Sequence, residues 1–218
     1  MASGFAVQLD GRAPRTPAGA ALVLPSLALA QLIAAEWEAQ APHIELAHMP
    51  ATRLAFTAID RIAATREQTV AEIARYADAD HLCYRAPAPA SLTERQAVQW
   101  DPLLAWADQA LGLSFTPTEG VLHRPQSPQT LAGVAALAEG LDDFALAGLA
   151  YAVGLFGSVI LALAVLRGRL TADAAFDLSR LDEAFQESQW GVDAEAAART
   201  AAHRAEALMA GAWMGALG

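Results

Sequence analysis

The chain has 218 residues, long for one domain and short for two large ones, and can bury roughly 70% of its unfolded surface without disulfides. Its net charge of −10 excludes a nucleic-acid backbone as partner, and all fourteen basic residues are arginine, which excludes lysine Schiff bases and the phosphate-loop lysine. One cysteine, Cys83, excludes an internal disulfide and a cysteine-cluster metal site and fits a reducing compartment.

In chain order, residues 5–24 predict short strands. Phe5, Val7 and Leu9 alternate with Ala6 and Gln8, the period of a half-buried strand. Asp10-Gly11 signals a hairpin, Arg12–Thr16 a return strand with Pro14 at an edge, and Ala21–Leu24 a third strand. Ser26 caps a helix over Leu27–Gln40. Thr52–Ile62 reads as helix, and Thr65 as the cap of a second helix reaching about Tyr76. Leu82–Tyr84 reads as a strand or a helix end. Ser91 with Glu94 forms a capping box for a helix toward Leu111, kinked or restarted at Pro102. Ser114–Val121 reads as another strand. Beyond Gln129 only helices are expected, over about 129–140, 143–166, 171–190 and 193–216.

The fold class expected is therefore α+β: a small β-rich N-terminal domain over residues 1–60, then a helical domain over 61–218. The break could instead fall later, if Leu82–Tyr84 and Ser114–Val121 return to the N-terminal sheet. Phe144–Leu166 is 23 residues without a charge, long enough to span a bilayer. Its alanines, with Gly148, Gly154, Gly157 and Ser158, keep its mean hydropathy modest and favour instead the central helix of a bundle, where Gly154, Gly157 and Ser158 would let other helices approach closely. No stable membrane insertion is expected. The N-terminus shows neither a secretory signal pattern nor an amphipathic presequence.

Leu178–Gly191 is the most informative stretch. Leu178, Leu181 and Phe185 form an apolar stripe, while Glu183, Gln186, Glu187 and Trp190 share another side, with Asp182 and Gln189 beside them. Gly191 suits the position just past the helix. An aromatic ringed by polar groups on a wet face is read either as a surface tryptophan tucked under a neighbour or as an interface anchor.

No catalytic constellation emerges. The five histidines show no HxxxH or HExxH spacing, and His43 and His48 merely flank Glu45 on a Pro-bounded loop. Gly157-Ser158 lacks the second glycine of a nucleophile elbow, and no GxGxxG or Walker motif exists. Cys83 reads as a structural thiol. Arg53 and Asp60-Arg61 read as a surface ion pair or a packing bridge, and Asp142-Asp143 as the acidic first turn of a helix. An enzyme drawing on Asp182, Glu183 and His203 stays open as an alternative, as does a membrane-associated protein using Phe144–Leu166.

The stretch Leu178, Ser179, Arg180, Leu181, Asp182, Glu183, Gln186, Trp190 and Gly191 resembles the signature helix of the assembly chaperones that attend the alpha subunit of the ATP synthase catalytic head, found in mitochondria and alpha-proteobacteria. Further blocks keep the family's order: Leu9–Arg12 with Thr16-Pro17, Ala35-Glu36-Trp37 with Gln40, Met49-Pro50, Thr52–Arg61, Ala74–Tyr76, Leu82–Arg85, Gln99–Leu103, Glu119-Gly120 and Pro125-Gln126. The chain departs in starting almost at the first strand, and the helix after Val192 is the least transferable part.

The resemblance implies a chaperone rather than an enzyme. It would hold the unassembled alpha subunit until the beta subunit replaces it, with no nucleotide, cofactor or metal. The implied setting is the bacterial cytoplasm, with the mitochondrial matrix for eukaryotic relatives. The implied partner-binding residues are Asp182, Glu183, Gln186 and Trp190. The family's acidic position maps to Asp182 or Glu183, and Glu183 is preferred because it shares a face with Gln186 and Trp190.

Overall fold

Helices build most of this molecule, and the N-terminal segment expected to be β-rich contributes little ladder. The computed structural model describes residues 4–9, 11–40 and 42–218. Strand β1 (Phe5–Ala6) pairs antiparallel with β2 (Val23–Leu24), and isolated bridges join Leu9 to Arg12 and Arg15 to Ala21. The hairpin at Leu9–Arg12 forms through two backbone bonds of 2.8 and 2.9 Å, with Gly11 at φ 76°. Asp10, the other half of that turn signal, lies outside the described residues. The small β-rich domain is thus corrected to two-residue strands and turns. Pro14, Pro17 and Pro25 each lack the N–H that a longer ladder needs. What holds the segment is its side chains: Val7, Leu22 and Leu24 are buried in the common core.

Helix α1 (Leu27–Glu38) starts where Ser26 caps it, its Oγ accepting from the Leu29 N–H at 3.0 Å. Helix α2 (Pro50–Thr57) runs through a π-helical turn (Ala58–Ile62) into α3 (Ala63–Asp78). Thr65 therefore caps nothing; its hydroxyl donates back to the Arg61 carbonyl at 3.1 Å. Residue 60, where the sequence suggests a division, lies inside that run. Buried residues on both sides of it belong to one hydrophobic cluster. The start of α2 is capped from α1: Glu36 accepts from the N–H groups of Ala51 and Thr52, both at 2.7 Å.

Helix α4 (Ala90–Leu111) stays a single helix through Pro102, and the expected Ser91 box does not form: Pro89 is the N-cap, no side chain caps the helix, and Ser91 lies inside its first turn. Strands β3 (Tyr84–Arg85) and β4 (Thr118–Glu119) pair with each other in parallel, as a sheet separate from β1–β2. Helix α5 (Pro128–Glu139) follows and packs on α3.

The single helix expected over 143–166 is two. Helix α6 (Asp143–Phe156) ends at Gly157, φ 63°, and α7 (Val159–Leu166) begins after Ser158, whose Oγ accepts from the Leu161 N–H at 3.1 Å. At 14 residues α6 is about 21 Å long, short of a bilayer core of about 30 Å. Among the described residues no helix is long and apolar enough to cross a membrane. Seven of the eight α7 residues are buried, as the bundle reading expects of a central element. The small residues work differently from expectation, however. Gly148 is where another helix comes close, since a Cβ there would meet Trp213 Cδ1 at 2.7 Å; at Gly154 it would meet nothing within 4 Å.

Helix α8 (Ala172–Ser179) and helix α9 (Leu181–Trp190) replace the one helix expected over 171–190, with the break at Arg180. Helix α10 (Ala194–Leu217), capped by Asp193, packs along α1, α6 and α8. Its Trp213 is fully buried and donates from Nε1 to the Phe144 carbonyl at 3.1 Å.

Candidate partner-binding surface

The signature stretch divides into a clamp and an open face. The clamp comes first in sequence. The Leu178 carbonyl accepts from Trp100 Nε1 of α4 at 3.1 Å. Arg180, at the break, reaches forward to Glu187 at 2.8 Å and across to Thr200 Oγ1 at 2.6 Å. Asp182 accepts from Gln96 Nε2 at 2.7 Å, and Gln96, itself fully buried, accepts on Oε1 from the Ala86 N–H at 2.9 Å. Leu181 is the one buried residue of α9. So α8 packs on α6 and α7, while α9 packs on α4. The expectation that one helix over Leu178–Trp190 lies on the central helix is corrected accordingly, because Arg180 breaks the run and turns its two halves onto different neighbours.

The open face follows. Glu183 and Gln186 are exposed, and neither makes a side-chain hydrogen bond among the described residues. Trp190 is 81% exposed, so it does not tuck under a neighbour. Glu183, Gln186 and Trp190 line a groove of about 410 Å³ whose other wall is the start of α10, with Arg199, Thr200 and His203. Asp182 is absent from that lining, being spent on Gln96. The structure thus brings three of the four expected residues together and sets Asp182 behind them.

Gln96, Trp100 and Thr200 are not singled out from sequence as parts of this surface, and Arg180 belongs to the signature stretch without being among the expected partner-binding residues. Gln96 and Trp100 lie more than 70 positions away, and only the fold brings them in. Arg180 carried a usable signal, since a helix presents residues seven apart on one face and Glu187 is its partner.

The alternative chemistries find little support. Asp182, Glu183 and His203 are not hydrogen-bonded to one another among the described residues. Burial pushes the Cys83 thiol up to about 12, away from a reactive thiolate, and the charge of Asp80 adds to it. Asp78, His123 and Tyr84 do form a chain, with His123 Nε2 3.2 Å from Asp78 and its Nδ1 3.0 Å from the Tyr84 hydroxyl. Yet desolvation first, and then the charges of Asp78 and Cys83, push the Tyr84 hydroxyl up rather than down. Among the described residues no group of three metal-ligating side chains comes together.

The model of the family described as ATP12 chaperone protein matches residues 1–108, a span that ends within α4. The crystal structure of Atp12 from Paracoccus denitrificans matches nearly the whole chain: 42% identity, a TM-score of 0.92, and coverage of 99% of this chain and 92% of that one. This chain belongs to the ATP12 chaperone family. An aspartate-to-lysine variant of the Paracoccus protein is similar at 41% identity, with a TM-score of 0.92 over 99% of this chain and 92% of its own. A protein of Agrobacterium tumefaciens, described as a candidate chaperone, is 43% identical with a TM-score of 0.90, over 99% of this chain and 81% of its own. Coverage of 99% carries the ATP12 likeness through α9 and α10, including the helix after Val192.

Proposed function

We propose that this ATP12-family chain is an assembly chaperone of the ATP synthase catalytic head. It holds the unassembled alpha subunit until the beta subunit takes its place, and it does so without catalysis, nucleotide or metal. The observation that carries this reading is the whole-chain likeness to Atp12 of Paracoccus. The α9 face adds physical support. A subunit destined for an obligate complex exposes core-like surface while alone, and a transient binder must cover that surface and then release it. Trp190 supplies a rigid aromatic anchor, and Glu183 and Gln186 supply a polar rim that keeps the free chaperone wettable.

In this reading Glu183, Gln186 and Trp190 touch the client, and Asp182 positions the helix that presents them. The chaperone works in the bacterial cytoplasm, where the alpha subunit is made. Affinity capture from the source cell tests the reading. The alpha subunit should be enriched over the beta subunit, and the purified pair should form and persist without added ATP. Capture that enriches neither subunit, or that requires ATP, would contradict it.

A further inference from the structure

Arg53, Arg61, Tyr151 and Glu206 converge on a cleft of about 1160 Å³, far larger than the groove beside Trp190. Its floor is α2 with the π turn. Pro50, Arg53, Leu54, Thr57, Asp60 and Arg61 recur at helical spacing, so one face of that run lines the cleft. π turns inside α-helices are frequent at functional sites. Leu46, 42% exposed, and the half-buried Phe56 give it an apolar lip.

Apart from Asp60 and Thr57, the polar side chains lining the cleft make no hydrogen bond among the described residues. Asp60 is engaged, accepting from Thr16 Oγ1 at 2.6 Å and the Ala18 N–H at 3.1 Å. Among the described residues Arg53, Arg61 and Glu206 form no ion pair, and the Tyr151 hydroxyl has no hydrogen-bond partner. By contrast Arg66, Arg75, Arg85, Arg180, Arg199 and Arg204 are each paired with a carboxylate. Arg12, Arg15, Arg95, Arg124, Arg167 and Arg169 also form no ion pair among the described residues, so what sets Arg53 and Arg61 apart is that both line this one cleft.

The cleft also continues the α9 surface. Ala196, Arg199 and His203 of α10 line the groove beside Trp190, and Glu206, three residues after His203, lies on the next turn of the same face. The two depressions share no lining residue but lie in succession along one face of α10.

We propose that this cleft is a second docking subsite for the same client. An extended client segment runs from Trp190 along α10 and sets two carboxylates, four residues apart, against Arg53 and Arg61. An apolar side chain midway between them rests on Leu54 and Phe56. The inference rests on the reading that the α9 face binds the client. The spacing decides the ligand class: eight helical residues separate the two arginines by about 12 Å along the axis. In an extended chain residues i, i+2 and i+4 point the same way, and four residues span about 13 Å. Tyr151 is placed to donate to a client carbonyl, and Glu206 to accept a client N–H. A compact polyanion such as phosphate fits poorly, because it would meet Glu206 and Asp60 and leave the apolar lip bare.

Site-specific photo-crosslinking on the full chain tests this. The probe replaces Phe56, Trp190 or, as a control on another surface, the exposed Glu72 of α3. Each chain is mixed with alpha subunit freshly diluted from denaturant, and adducts are mapped by mass spectrometry. Probes at 56 and 190 should label neighbouring parts of one client segment, and the probe at 72 should label nothing. Arg53→Gln with Arg61→Gln should weaken capture about tenfold at low salt and less at high salt, with the thermal midpoint unchanged. Adducts at 190 with none at 56 would overturn this inference and leave the proposed function standing. Adducts at neither site would overturn both. Adducts at 56 alone would overturn the shared path.

Discussion

Helices α7 and α9 are nearly equal in length, and the fold uses them in opposite ways. In α7 every residue from Val159 to Val165 is buried, so its identity is fixed by packing. In α9 only Leu181 is buried, and the helix is secured by a few polar contacts near its first turn and at Glu187. Substitution in the α7 neighbourhood should therefore cost stability, and substitution on the outer face of α9 should cost binding alone.

The packing side of the contrast is sharpest at Trp213 of α10, which fills the notch at Gly148 of α6. Trp213→Ala should lower folding stability by about 3–5 kcal/mol in chemical denaturation, with capture lost only as the fold is lost. A loss under 1 kcal/mol would mean that this core is not what holds the helices together.

Asp80 is next. It is fully buried and accepts from the N–H groups of Leu82 at 3.0 Å and Ile160 at 3.1 Å, which ties the start of α7 to the end of α3. Asp80→Ala should cost about 1–3 kcal/mol for each donor left without an acceptor. Burial raises the Asp80 pKa above 3.8, against the opposing effect of its hydrogen bonds. The folded chain then keeps a proton that the unfolded chain releases. Its contribution is greatest below the unfolded value and falls as pH rises through the raised folded one. Denaturation curves of the native chain and Asp80→Asn, compared from pH 4 upward, should show the native chain losing relative stability as pH rises. A difference that grows with pH would reverse the assignment.

Smaller effects divide the signature helix. Asp182→Ala removes the acceptor of the buried Gln96 amide and should cost about 1–2 kcal/mol, seen as a lower thermal midpoint. Trp190→Ala should change stability by no more than about 0.5 kcal/mol while weakening capture of the alpha subunit. If the two variants exchange these behaviours, clamp and face are assigned the wrong way round.

How much of this was legible in the sequence follows from which forces are local. Ser26 and the helix it starts could be read directly, because a cap and an apolar period are local. So could the apolar stretch at 144–166, but not its interruption, since Gly157 and Ser158 act as stop and start only together. The N-terminal strands were over-read from alternation alone, although the prolines beside them already limited the ladders. On the candidate surface, Glu183, Gln186 and Trp190 share a groove as their spacing implied. Asp182 could not be separated from Glu183 until Gln96 appeared beside it, because a contact across 86 residues leaves no local pattern. The cleft at Arg53 and Arg61 was hidden for the same reason: its second wall is Tyr151 and Glu206.

The most direct test of the central claim is Glu183→Lys, with circular dichroism and capture of the alpha subunit measured on the same sample. Glu183 is exposed and unpaired among the described residues, so the helical spectrum should persist and the midpoint should move by no more than about 0.5 kcal/mol equivalent. An interface carboxylate that meets a client cation and is desolvated there contributes about 2–5 kcal/mol, and reversing its charge adds repulsion. The prediction is a folded protein that no longer captures the alpha subunit, worse in this respect than Glu183→Ala. A folded Glu183→Lys chain that still captures it at native affinity would contradict the account.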